Sequence, residues 1–124
     1  FAGAKVTAQL NTFHYSVIDQ IPGVDKQAAM DNFPAMRVAL QAGTIDAYVS
    51  ELPEAISAQA ANSDFVMVKL TDGFKASPED TQTAVGVKKD SPLTKEINEA
   101  LKTISSEERQ QIMQEAIKNQ PAAE

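Results

Sequence analysis

The chain has 124 residues, 43% of them hydrophobic and 23% charged, with a net charge of -6 and no cysteine. That length builds one compact domain with its own core rather than two. The acidic balance argues against a nucleic-acid surface, where clustered Lys and Arg are needed, and the missing thiols exclude disulfides, thiolate metal sites and cysteine nucleophiles.

No apolar run approaches the roughly 18 residues that a membrane-spanning helix requires. The sequence opens on Phe1-Ala2-Gly3 with no initiator Met and no signal-peptide pattern, which we read as the start of an internal piece of a longer protein.

In chain order, Val6 to Leu10 reads as a strand. Thr12 then stands where a helix N-cap belongs, and Phe13, Val17, Ile18 and Ile21 follow on one helical face. Pro22-Gly23 stops that helix. Lys26 to Met30 is a weaker strand, and Asn32 caps a helix that carries Phe33, Met36, Ala39 and Leu40 inward until Gly43. Ile45 to Val49 is the third strand. Glu51-Leu52-Pro53 opens a third helix, with proline near its first position, running to about Asn62.

Phe65 to Leu70 is expected as another strand, and Thr71 to Thr81 as a polar loop. Thr83 to Val87 is expected as a further strand, followed by a turn at Lys88 to Pro92. Leu93, Ile97, Leu101 and Ile104 mark an amphipathic helix. Ser105 and Glu108 have capping-box spacing at the start of a last helix, with Ile112, Met113, Ala116 and Ile117 inward. The tail from Gln120 to Glu124 is expected to fray.

Alternating strands and helices predict βαβ units and a mainly parallel sheet. The expected fold is an α/β three-layer α/β/α sandwich. Ligands of such sheets bind beyond the carboxyl ends of the strands, in the loops that enter helices. Two loops qualify, Gln9 to His14 and Ser50 to Pro53. The first places Asn11 and Thr12 at a helix start, where free amides and the helix dipole favour an anion. The second places Glu51 where a carboxylate can take an ammonium group. Each also has a plainer reading: Thr12 caps its own helix, and Glu51 favours the helix dipole beside it. Together they make one anion site and one cation site on one rim, which suits a zwitterion. No Ser/His/Asp set, Gly-rich phosphate loop or metal-ligand spacing is present, so no enzyme, cofactor or metal is expected.

Three stretches resemble the polar amino-acid solute-binding family of ABC importers. Phe1 to Thr12 is similar to the start of its second lobe. Met36-Arg-Val-Ala-Leu-Gln-Ala-Gly-Thr-Ile-Asp-Ala-Tyr-Val-Ser-Glu51-Leu-Pro53 resembles its most distinctive segment, where a strand leads to an acidic residue before a helix. Thr83 to Leu101 is similar to the strand that returns through the second hinge and the helix after it.

The resemblance implies a type II periplasmic-binding-protein-like fold in which two lobes close on an amino acid. Residues 2–82 would form lobe 2, 83–87 the crossing strand, and 88–119 helices that belong to lobe 1, whose remainder is missing here. Those helices would need a cover for their apolar faces; a second copy of the chain, giving a homodimer, would supply one.

By the same resemblance, Thr12, Asn11 and nearby amides would bind the α-carboxylate, and Glu51 the α-ammonium. Gln9, Phe13 and Ser50 would border the side-chain pocket. The family's main carboxylate-gripping Arg would lie in the missing lobe. Asn11 stands where the family usually has Gly, and Glu51 where it usually has Asp. The implied setting is extracytoplasmic, with an ABC permease as partner. An effector-binding domain of a transcription regulator is the alternative with the same fold.

Overall fold

The computed structural model describes residues 1–119. The expected frayed tail lies outside the described residues. Strand β1, Lys5–Ala8, is the centre of a small parallel sheet with order β2-β1-β3, where β2 is Asp25–Lys26 and β3 is Ala47–Val49. The chain is therefore a mixed α/β protein with a three-stranded parallel sheet. Val6, Thr7 and Ala8 are all buried. A strand covered on both faces loses the alternation of a half-exposed one, which is why this run has no period of two.

The starts of the two longer strands are clamped together. The Lys5 amide donates to the Asp46 carboxylate at 2.8 Å, and the Asp46 amide donates to the Lys5 carbonyl at 2.8 Å. The single buried polar residue of β1, Thr7, donates its hydroxyl to the Ala28 carbonyl at 2.7 Å. That bond also explains why the expected strand over Lys26 to Met30 is interrupted. Gln27 still donates to the Val6 carbonyl, but the chain arches at Ala28 and rejoins β1 only through the bridge between Gln9 and Met30.

The helix expected after Thr12 is two short pieces. Helix α1 is Phe13–Ser16, and a 3₁₀ turn, Val17–Gln20, continues it. Adjacent β-branched Val17 and Ile18 are poor formers of a long α-helix, and both are buried here. Ile18 packs with Val6 and Ala8 as the core cluster. Gly23 ends the segment at φ +71, with room for a Cβ only against Ala2 at 3.4 Å.

Helix α2, Phe33–Gln41, follows the sequence signals closely. The Asn32 side chain accepts from the Ala35 amide at 2.9 Å, and Met36 is its fully buried residue. Its far end closes with Gly43 donating to Leu40 and Thr44 to Ala39, the paired bonds of a glycine-dependent helix stop. Helix α3, Leu52–Ala61, begins with Pro53 in its first turn and buries Ala58.

A polar network joins α2, β3 and α3. Arg37 donates twice to Glu54, at 3.0 and 2.8 Å, and the Tyr48 hydroxyl donates to the same carboxylate at 3.2 Å. Burial first, and then the Glu54 charge, pushes the Tyr48 hydroxyl up to about 12. Burial opposes the Arg37 charge, but the hydrogen bond and charge of Glu54 outweigh it and hold the guanidinium pKa above its usual value.

Two expected strands are absent. The segment from Phe65 to Leu70 joins no ladder, with Val66 79% and Val68 58% exposed. A cavity of about 300 Å³ is lined by residues of β3 and of this segment instead of the hydrogen bonds a strand pair would make. The chain after it is pinned where Gln20 and Lys75 exchange two bonds of 2.8 Å through the Gln20 amide. A single turn of helix, α4, is Pro78–Thr81. Thr83 to Val87 likewise joins no ladder and is exposed.

Two compact units are present, Phe1–Thr81 and the chain from Gln82 on. The second contains α5, Leu93–Lys102, and α6, Ser106–Lys118. The Ser105 hydroxyl accepts from the Glu108 amide at 3.1 Å, as its spacing predicts. Arg109 donates to the carbonyls of Ile104 and Leu101, so it satisfies the open end of α5. Neither helix has a buried residue. The expectation that Ile112, Met113 and Ala116 face inward does not hold: all three are exposed, Ile112 at 55% and Met113 at 47%. Two amphipathic helices alone enclose too little volume to cover their apolar faces. No helix among the described residues is long and apolar enough to cross a membrane.

Candidate functional site

Because β1 and β3 are adjacent and parallel, their carboxyl ends lie on one rim. The loop that leaves β1 carries Gln9, Asn11 and Thr12; the loop that leaves β3 carries Ser50 and Glu51. The two loops meet. The His14 Nε2 atom lies 3.6 Å from Glu51 Oε2.

The first loop turns sharply at Asn11, whose φ is +59. Among residues with a side chain, Asn tolerates this left-handed region best. Asn11 therefore takes a backbone that Gly would also adopt. Thr12 precedes α1 with extended backbone, but its side chain makes no cap bond. The hydroxyl donates back to the Gln9 carbonyl at 2.7 Å. The reading of Thr12 as a side-chain cap is thus corrected: the tight turn at Asn11 brings the Gln9 carbonyl within reach first. Among the described residues no hydrogen bond reaches the amides of Phe13 and His14. Those two N–H groups stand at the start of α1, where helix N–H groups lack an intrahelical partner.

The second loop leaves Glu51 equally uncommitted. Its backbone caps α3, while its side chain makes no cap bond and is 49% exposed. The carboxylate therefore does not serve its own helix by a hydrogen bond. Its neighbour Ser50 donates to the Glu51 carbonyl at 3.2 Å and also lines the cavity beside β3. Leu52, Ala55, Met67 and Phe74 make most of that wall apolar.

Of the residues expected at the site, Asn11, Thr12, Phe13, Ser50 and Glu51 lie in these two loops or at the first position of α1. Gln9 is engaged toward the chain after β2. Its side-chain amide donates to the Asp31 carbonyl at 3.1 Å, in the chain that follows β2. Phe13 is half-buried and meets the His14 ring edge-on, with centroids 5.8 Å apart. The cavity beside β3 includes Ser50 and none of the other five expected residues.

A lone histidine beside a helix start, as His14 is, reads as a surface or hydrogen-bonding residue rather than a catalyst. The spacing from Thr12 places it on the first turn of α1, but its nearness to Glu51 follows only from the pairing of β1 with β3, which no local pattern encodes. Among the described residues no group of three or more His, Cys, Asp or Glu side chains gathers where it could hold a metal ion. Comparison with protein-family models, with curated proteins and with solved structures finds no match for this chain.

Proposed function

We propose that the chain is one lobe of an extracytoplasmic solute-binding protein that captures an amino acid and delivers it to an ABC importer. In this reading the α/β unit belongs to a three-layer, periplasmic-binding-protein-like II lobe, and a further lobe supplies the other wall of the cleft. One observation carries the proposal. The amides of Phe13 and His14 at the start of α1 and the Glu51 carboxylate lie on one rim, with His14 Nε2 3.6 Å from Glu51 Oε2. A donor set and a carboxylate on one rim match the two charged ends of a zwitterion.

The amides and the Thr12 hydroxyl take the α-carboxylate, the hydroxyl after turning from the Gln9 carbonyl. Glu51 takes the α-ammonium. Ser50 and Phe13 border the ligand side chain. Closure follows from differential affinity: a ligand held by both lobes stabilises the closed state, which docks on the permease. The reaction needs no covalent step.

Chemical-shift mapping of the amides, with glutamine, arginine, histidine and glutamate added to the chain, tests this reading. The expected result is weak binding in fast exchange, with the largest shifts at Phe13, His14 and Glu51, because one lobe supplies only half the contacts. Shifts confined to other residues, or none at saturation, would reject the assignment. Tight binding by this chain alone would reject the need for a second lobe.

A further inference from the structure

We propose that His14 decides when the Glu51 carboxylate is available to a cationic group, so that a protonated imidazole and a ligand ammonium compete for one anion. The proposal rests on the functional reading above, since it concerns the same rim, and it adds a side chain that reading does not use.

At 3.6 Å the two side chains are within ion-pair range but outside a direct hydrogen bond. Their side chains are 25% and 49% exposed, so water, protons and a small ligand reach both. The Phe13 ring, set at 63° to the imidazole, backs His14 on its own helix.

The charged groups on the surrounding elements are already engaged or lie elsewhere. On the 3₁₀ turn, Asp19 is held by Lys26 at 2.8 Å, and that ammonium also sits 4.3 Å from the Tyr15 ring centre. On α3, Glu54 is taken by Arg37 and Tyr48. In the chain after β2, Asp31 is exposed and meets the rim through its carbonyl, which accepts from Gln9. Gln9, Asn11 and Thr12 carry no charge. Among the described residues Glu51 is the one carboxylate within 4.0 Å of the imidazole.

An imidazole changes charge between about pH 5 and about pH 8. Neutral His14 leaves Glu51 as an open anion. Protonated His14 places a cation beside it and cancels much of its attraction for an ammonium group. Partly exposed ion pairs are modest, so the expected loss of ligand affinity on acidification is about two- to fivefold.

The first arm of the test needs no ligand. The side-chain carboxyl carbon resonance of Glu51 is followed from about pH 8 to about pH 5.5, across the imidazole range, in the native chain and in His14→Gln. A larger movement in the native chain supports the proposal; equal movement in both overturns it. The second arm measures glutamine binding at the same two pH values. A two- to fivefold weakening at low pH in the native chain, absent from His14→Gln, supports competition. The same pH dependence in both proteins overturns it while the binding reading stands. If glutamine, arginine, histidine and glutamate all fail to bind at either pH, the binding reading falls, and the carboxyl resonance decides the coupling of His14 to Glu51 by itself.

Discussion

The sheet and the two last helices end with opposite burial. Around β1, Val6, Ala8 and Ile18 are shut from solvent, at 1%, 0% and 0% exposure. Ser105 caps α6 and Arg109 takes carbonyls at the end of α5, yet no residue of either helix is buried. Local chemistry fixes where a helix begins and ends; only contacts distant in sequence remove its apolar face from water. The largest expected effect breaks this contrast directly. Ile18→Ala removes a core side chain and should cost about 3 kcal/mol. Leu93→Ala, at a position 53% exposed, should cost less than about 1 kcal/mol. Urea unfolding of the two variants checks both. Equal costs would mean that Leu93 is covered in solution, as a second copy of the chain would cover it.

Ion pairs repeat the comparison one step down. Arg37 and Glu54 are 23% and 11% exposed and form two parallel hydrogen bonds, with Tyr48 as a third partner. Lys102 and Glu99 are 71% and 62% exposed and share one. Removing Arg37 leaves a largely buried carboxylate with a single neutral donor, so Arg37→Met should cost about 2–3 kcal/mol. Lys102→Met should cost about 0.3 kcal/mol. A double-mutant cycle over Arg37 and Glu54 separates their coupling from lost packing.

The sequence carried more of the helices than of the sheet. Asn32, Gly43, Pro53 and Ser105 announced their ends because each acts on backbone groups within four residues. Strand partners are not local. Phe65 to Leu70 has the apolar character of β1 and no ladder, since nothing in its own residues supplies a neighbour. The candidate rim was readable as two loops, because strand ends that lead to helices show in the pattern. Its finer geometry was not. The return of the Thr12 hydroxyl to Gln9, the turn of Gln9 toward Asp31, and the approach of His14 to Glu51 each depend on how β1 lies between its neighbours.

The Tyr48 hydroxyl gives a third, pH-resolved test of the buried network. Its folded value of about 12 lies above the ordinary 10.0, so the folded state holds that proton more tightly than the unfolded chain does. The stability it contributes is whole below pH 10 and is lost as pH rises toward 12. Tyr48→Phe should remove the part of the tyrosinate absorbance that rises near pH 12 and flatten the fall in stability over that window. Arg37→Met should also change that late absorbance step, because the same network sets it. A late step that survives Tyr48→Phe would place it elsewhere.

The smallest effect concerns the one left-handed residue in the rim. At φ +59 Asn11 carries a conformational cost that Gly would not, so Asn11→Gly should be nearly neutral, within about 0.5 kcal/mol. Asn11→Ala keeps a Cβ and loses the amide that makes this region tolerable, and should destabilise by about 1 kcal/mol. The pair separates backbone from side chain at the rim. If the turn exists to hold the amides of Phe13 and His14 open, Gly at residue 11 keeps their chemical shifts and Ala moves them. If both variants move them alike, the Asn11 side chain itself, rather than the turn it permits, holds the loop in place.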